Sequence, residues 1–171
     1  AEAEVLMREY LAAWRAEGGD RHEDTLVALC SLAENLRQQG KPAEAEPLFR
    51  EALAAGRELS GNDHVATMQR AGSLGEVLLA QGKLAEAEPL LVEAVAAFRK
   101  NAGHGGPYNT YLVELRREQG RLDEAEQELG TLVAVLRESW GPQFYGPLAA
   151  EAVAARLRHA PPDGAAAGAA A

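Results

Sequence analysis

The sequence predicts an all-α protein, an α-solenoid built from antiparallel helix pairs, and three observations lead there. Ala, Leu and Glu are abundant while aromatic residues make up 5% of the 171 positions. Ala and Leu give up little freedom in a helix, and the β-branched strand formers are sparse. A ten-residue stretch, Gln39-Gly40-Lys41-Pro42-Ala43-Glu44-Ala45-Glu46-Pro47-Leu48, returns 42 positions later as Gln81-Gly82-Lys83-Leu84-Ala85-Glu86-Ala87-Glu88-Pro89-Leu90. A worn copy, Gln119-Gly120-Arg121-Leu122-Asp123-Glu124-Ala125-Glu126-Gln127-Glu128, follows after a further 38. A period of roughly 20–50 residues marks stacked repeats, in which no unit buries its apolar side without a neighbour.

The first element spans residues 1–16. Ala3, Met7, Tyr10, Leu11 and Trp14 fall on one helical face. Shifted by 42 they become Ala45, Phe49, Ala52, Leu53 and Gly56. Residues 1–19 therefore read as the second helix of a truncated preceding repeat, and the chain is expected to be part of a longer array or assembly. Gly18-Gly19-Asp20 breaks that helix, and Asp20 or Asp24 is expected to cap the next. A helix over 22–39 presents Leu29, Leu32, Ala33 and Leu36, and Gly40 closes it. In the returning helix, 42–58, Pro42 suits the first position, where a missing N–H costs nothing. Pro47 predicts that this helix either starts late or bends.

Residues 20–61 thus form a first complete unit and 62–103 a second, with helices over 64–81 and 84–100 after the Ser60-Gly61-Asn62-Asp63 turn. About half of residues 22–63 are identical to their counterparts in 64–105. Residues 104–141 form a degenerate third unit, with helices over 108–119 and 122–140 and a stop at Gly141-Pro142. Residues 142–159 are expected to hold a helix (147–159) covering the last apolar side. Residues 160–171, an Ala/Gly/Pro tail with no large apolar anchor, are expected to be disordered.

The formal net charge of −9 argues against a nucleic-acid partner, which calls for clustered Lys and Arg. Cys30 is the single cysteine, so no internal disulfide framework is implied. No apolar run approaches the roughly 20 residues that cross a bilayer. Charged residues at Glu2, Glu4, Arg8 and Glu9 make the start unlike a leader. A soluble, intracellular protein, cytoplasmic by default and without a membrane partner, is the expectation.

Residues that could carry chemistry are few. His22 and His64 recur at the repeat offset, with His104 near the next frame, and read as loop or capping residues. Cys30 reads as a packed small residue. The Glu-Ala-Glu runs read as solvated helix faces, and Trp14 and Trp140 as wedges in the core or between repeats. Gly103 to Gly106 lacks the Lys-Ser/Thr ending of a phosphate loop. No catalytic, metal or cofactor site is expected.

Around Gly40, Gly82 and Gly120 the pattern resembles the tetratricopeptide repeat. Leu32-Ala33, Leu74-Gly75 and Leu112-Val113 precede the glycine; Ala45, Ala87 and Ala125 follow it; Phe49, Leu91 and Leu129 come four further on. The period of 42, longer than the usual 34 or so, and the wording His22-Glu23-Asp24-Thr25-Leu26-Val27-Ala28-Leu29 are similar to the kinesin light chain class. The resemblance implies a right-handed superhelical stack whose first helices line a concave face, and protein–peptide binding there. Exposed inner positions are then expected at Val27, Cys30, Ser31, Glu34 and Gln38, at Gln69, Gly72, Ser73, Glu76 and Ala80, and at Thr110, Tyr111, Glu114 and Glu118. Of these, Val27, Ser31, Glu34, Gln38, Gln69, Ser73, Glu76, Thr110, Tyr111 and Glu114 are the candidate partner-binding residues.

Glu34, Glu76 and Glu114 would form a row of carboxylates suited to a basic or amide-rich segment, unless Arg37 or Arg117 pairs with them. The two-carboxylate clamp known in the family needs Lys, Arg and Asn. Val27, Ser31, Gln69, Ser73, Pro107 and Tyr111 stand there instead, so no clamp is expected. The expected function is a non-catalytic interaction scaffold. The alternatives are a structural component of a large assembly, contacted by its convex face or ends, and a regulatory region of a longer multidomain protein.

Overall fold

A computed structural model describes residues 2–102 and 108–140, and every regular element among them is a helix. They are α1 (Glu2–Gly18), α2 (Glu23–Gln38), α3 (Pro42–Ser60), α4 (Val65–Ala80), α5 (Leu84–Ala102), α6 (Asn109–Glu118) and α7 (Leu122–Trp140). The chain forms two compact units, one running from Ala1 to Tyr108 and holding α1–α5, the other starting at Asn109 and holding α6 and α7. The expected stop at Gly141-Pro142, the covering helix over 147–159, the tail 160–171, His104 and the side chain of Trp140 lie outside the described residues.

The corners between paired helices are built alike. Gly40 and Gly82 take φ values of 73° and 72°, a left-handed conformation in which a Cβ would crowd the backbone. Their N–H groups donate to Arg37 and Leu79 carbonyls at 2.9 Å, and the following Lys41 and Lys83 donate to Leu36 and Leu78 at 3.0 and 2.9 Å. This is a Schellman closure, which satisfies the last carbonyls of the first helix. Pro42 then opens α3 as its first residue.

One expectation is corrected, and one of two alternatives for another is excluded. His22, not Asp20 or Asp24, caps α2: its Nδ1 accepts from the Asp24 N–H at 3.3 Å. Its ring also stacks on Trp14, with centroids 5.8 Å apart and planes 5° from parallel. Nor does Pro47 delay α3, which runs through it from Pro42. Pro47 is exposed inside α3, so of the two alternatives the late start is excluded.

The core of the first unit lies between paired helices. α2 packs on α3 and α4 on α5, and α3 also packs on α4 and α1 on α2. Leu26, Leu29, Leu32, Ala33 and Leu36 of α2 are buried with Ala45, Phe49 and Ala52 of α3. Ala87, Leu91 and Ala94 repeat this in α5. The approach is close: a Cβ on Gly75 would stand 2.7 Å from the Leu91 side chain. In the second unit, Val113 of α6 and Ala125 and Leu129 of α7 form a small cluster with Val133 against it.

The unit is also laced by ion pairs that repeat at the 42-residue offset. Glu4 meets Lys41 at 3.2 Å as Glu46 meets Lys83 at 2.6 Å. Arg15 pairs with Glu51 as Arg57 pairs with Glu93 at 2.7 Å. Arg21–Glu58, at 2.7 Å, returns with both signs exchanged as Asp63–Lys100 at 3.8 Å. Glu46, expected on a solvated face, instead lies largely buried among Lys83, Gln81 and Arg50. The Lys83 ammonium, then the Gln81 and Arg50 donors, hold its carboxyl down at a pKa of about 2.

Candidate partner-binding face

In the first unit the candidate residues sit on α2 and α4. Val27 is 48% exposed, and Ser31, Gln38 and Gln69 are also exposed. Glu34, Ser73 and Glu76 are half-buried. The Ser31 hydroxyl donates to the Val27 carbonyl of its own helix at 2.9 Å, which leaves its lone pairs available as acceptors.

The carboxylates are joined by one guanidinium. Arg37 donates to Glu34 through Nε at 2.8 Å and Nη2 at 2.7 Å, and its Nη1 stands 2.8 Å from Glu76 of α4. Gln38 adds a 2.8 Å bond to Glu34. Arg37, followed by Gln38, holds the Glu34 carboxyl below the usual range even as burial opposes it. Glu34 and Glu76 therefore do not act as two free negative charges: Arg37 pairs with both, the alternative to a bare row of carboxylates that the sequence left open.

Gly72, expected to be exposed, is buried beneath Tyr108. A Cβ there would lie 2.5 Å from the tyrosine ring, so only glycine leaves the notch open. The Tyr108 hydroxyl donates to the Gln69 carbonyl at 3.0 Å and lies 3.4 Å from Ser73 Oγ, and Phe98 packs on the ring at 5.6 Å. Burial pushes the phenol's pKa up, with the Ser73 bond opposing. Tyr108 was missing from the candidates. In the third repeat's frame it is the counterpart of Arg70 (70 plus 38), which is 5% exposed and lies over Cys30, itself the counterpart of Gly72. Arg70 pairs with Glu23, and a Cβ on Gly56 would approach it to 2.9 Å. The half-buried Cys30 thiol is raised by burial, against the pull of Arg70, so it is a poor nucleophile.

On α6, in the second unit, Thr110 and Glu114 are exposed and Tyr111 is half-buried. A small apolar recess of about 150 Å³, lined by Val65, Met68, Ala97, Phe98 and Asn101, lies between α4 and α5. Among the described residues no group of three or more His, Cys, Asp and Glu is placed to hold a metal, and no helix is long and apolar enough to cross a membrane.

The chain matches the tetratricopeptide repeat family model over residues 1–58 and 32–100. No curated protein matches it. Among solved structures it is similar to two crystal structures of the nearly identical TPR-like repeats of a Podosopora anserina putative kinesin light chain. One of them, a single-substitution variant, gives a TM-score of 0.80 at 23% identity, covering 91% of this chain and 76% of that one. The other gives 0.73 at 20%, covering 92% and 84%. BtubC (BKLC) from P. vanneervenii gives 0.56 at 20% identity, covering 91% of this chain and 55% of that one. At these identities the likeness is one of fold.

Proposed function

The chain belongs to the tetratricopeptide repeat family, an all-α solenoid family of protein-interaction scaffolds, and from that premise we propose that it holds a partner protein's extended or helical segment against α2 and α4 without catalysis. The observation that supports this reading is the exposure of Val27 on α2, with the uncharged hydrogen-bonding residues Ser31 and Gln38 exposed on the same helix and Gln69 exposed on α4, while Arg37 pairs with Glu34 and Glu76. Such a face favours an amide-rich segment with one apolar side chain over a strongly basic one. The Arg37 guanidinium, bidentate on Glu34 and bonded once to Glu76, already offsets part of the negative charge that would attract a lysine.

A pull-down from native extract tests this. Val27→Arg combined with Gln69→Glu is expected to release the partners, and Ala54→Arg on the exposed side of α3 to retain them. Release by the α3 change alone would refute the reading and favour a scaffold that works through its outer helices.

A further inference from the structure

Glu34 and Glu76 hold the same repeat position, and Arg37 follows Glu34 at i+3, a spacing at which a helix brings opposite charges together. The second repeat lacks this arginine: Leu79 stands in its place, three residues after Glu76. One guanidinium therefore serves both repeats. It grips Glu34 through Nε at 2.8 Å and Nη2 at 2.7 Å, and its Nη1 reaches Glu76 on α4 at 2.8 Å. The Glu76 side chain is 15% exposed, where an uncompensated carboxylate is costly. Two carboxylates against one guanidinium leave a single negative charge on the trio. After burial, the charges of Glu76 and Glu34 add to the upward push on the Tyr108 phenol. Their field thus reaches the Gln69 carbonyl and the Ser73 hydroxyl, the groups beside that phenol.

We propose that Arg37 sets the charge preference of the α2–α4 face: it holds that face to uncharged, amide-rich segments, and its loss turns the face toward basic ones. The inference rests on reading this face as the partner-binding one. Arg37 acts through Glu34 and Glu76 and need not touch the partner itself. A partner's amide bonds to Ser31, Gln38 and Gln69 whatever the charge on the two carboxylates. A lysine gains in proportion to the negative charge that Arg37 leaves uncompensated.

Two fluorescein-labelled nonapeptides, titrated into the full chain and followed by anisotropy, test the assignment. Both carry a central leucine, flanked in one by asparagine and glutamine; in the other each glutamine is replaced by lysine. The parent chain is expected to prefer the glutamine peptide. Arg37→Gln is expected to reverse the order, raising affinity for the lysine peptide by about tenfold. That gain should shrink as salt rises from about 0.05 to about 0.5 M. Arg37→Lys, which keeps the charge without the fork, should hold the parent's order. Leu79→Arg, which gives Glu76 an arginine at the repeat's own spacing, should weaken the lysine peptide further, and it reads the same property in a chain that keeps Arg37. A lysine peptide that binds Arg37→Gln no better than the parent would overturn the proposal and leave Arg37 a structural tie between α2 and α4. So would affinity for it that ignores Leu79→Arg. Failure of the glutamine peptide to bind the parent would refute the reading of the face alone, since the role of Arg37 is read from the lysine peptide.

Discussion

At the scale of single residues, the junctions between successive pairs are solved by size. Trp14, Gly56 and Phe98 share one repeat position, and Ala28, Arg70 and Tyr108 share the position that follows in the next first helix. Where the second helix offers only Gly56, the buried Arg70 fills the space; where it offers Phe98, Tyr108 turns onto the ring and into the Gly72 notch. Gly72→Val is expected to expel Tyr108 and destabilise the first unit by about 1–3 kcal/mol. Tyr108→Ala should remove much of that penalty. A double-mutant cycle by urea unfolding checks the coupling, and additive costs would show that the notch is not what orders the tyrosine. The substitution should also weaken partner capture if Gln69 and Ser73 are used there, since both are tied to the same ring.

At the scale of elements, the second helices are linked by repeated ion pairs, α1 to α3 through Arg15–Glu51 and α3 to α5 through Arg57–Glu93. Most of these pairs are half-exposed and individually worth well under about 1 kcal/mol. Glu46 is the exception, with one carboxylate serving Arg50 on its own helix and Gln81 and Lys83 at the next corner. Its folded pKa is depressed from the ordinary 4.5 to about 2. Its contribution is therefore present above the unfolded value and is lost as pH falls from about 4.5 toward 2. Allowing for solvent screening, this amounts to on the order of 1–2 kcal/mol. Thermal unfolding of Glu46→Gln should lie below that of the parent at neutral pH, and the gap should close in that acid window. A gap that persists at the acid end would assign the loss to packing.

At the scale of the whole molecule, each described unit has its own core, and in the first of them every helix leans chiefly on its sequence neighbours. Stability in such an array is close to a sum of nearest-neighbour terms. α1, which packs chiefly on α2, should then exchange its amide hydrogens fastest of the five helices, and α4, packed between α3 and α5, slowest. Exchange mass spectrometry on the full chain reads this directly. Uniform protection across α1 to α5 would mean that the unit opens only as one block.

By itself the sequence determined the helices, their pairing and their corners. Apolar spacing, Gly40, Gly82 and Pro42 act through local backbone geometry, and the near-copying of residues 22–63 doubles the evidence for each. It also held a clue to the contacts between repeats, since Arg21–Glu58 and Asp63–Lys100 exchange charges at one offset. What it did not show was which partner reaches an exposed or half-buried group first. Of the residues that could cap α2, His22, already read as a loop or capping residue, does so in place of the aspartates and stacks on Trp14, and Arg37 extends its pairing from Glu34 to Glu76 on α4. Tyr108 closed over Gly72 from 36 positions away, 108 less 72. Those outcomes depend on distances between helices, which only the assembled fold sets, and they decide how much of the α2–α4 face is free to meet a partner.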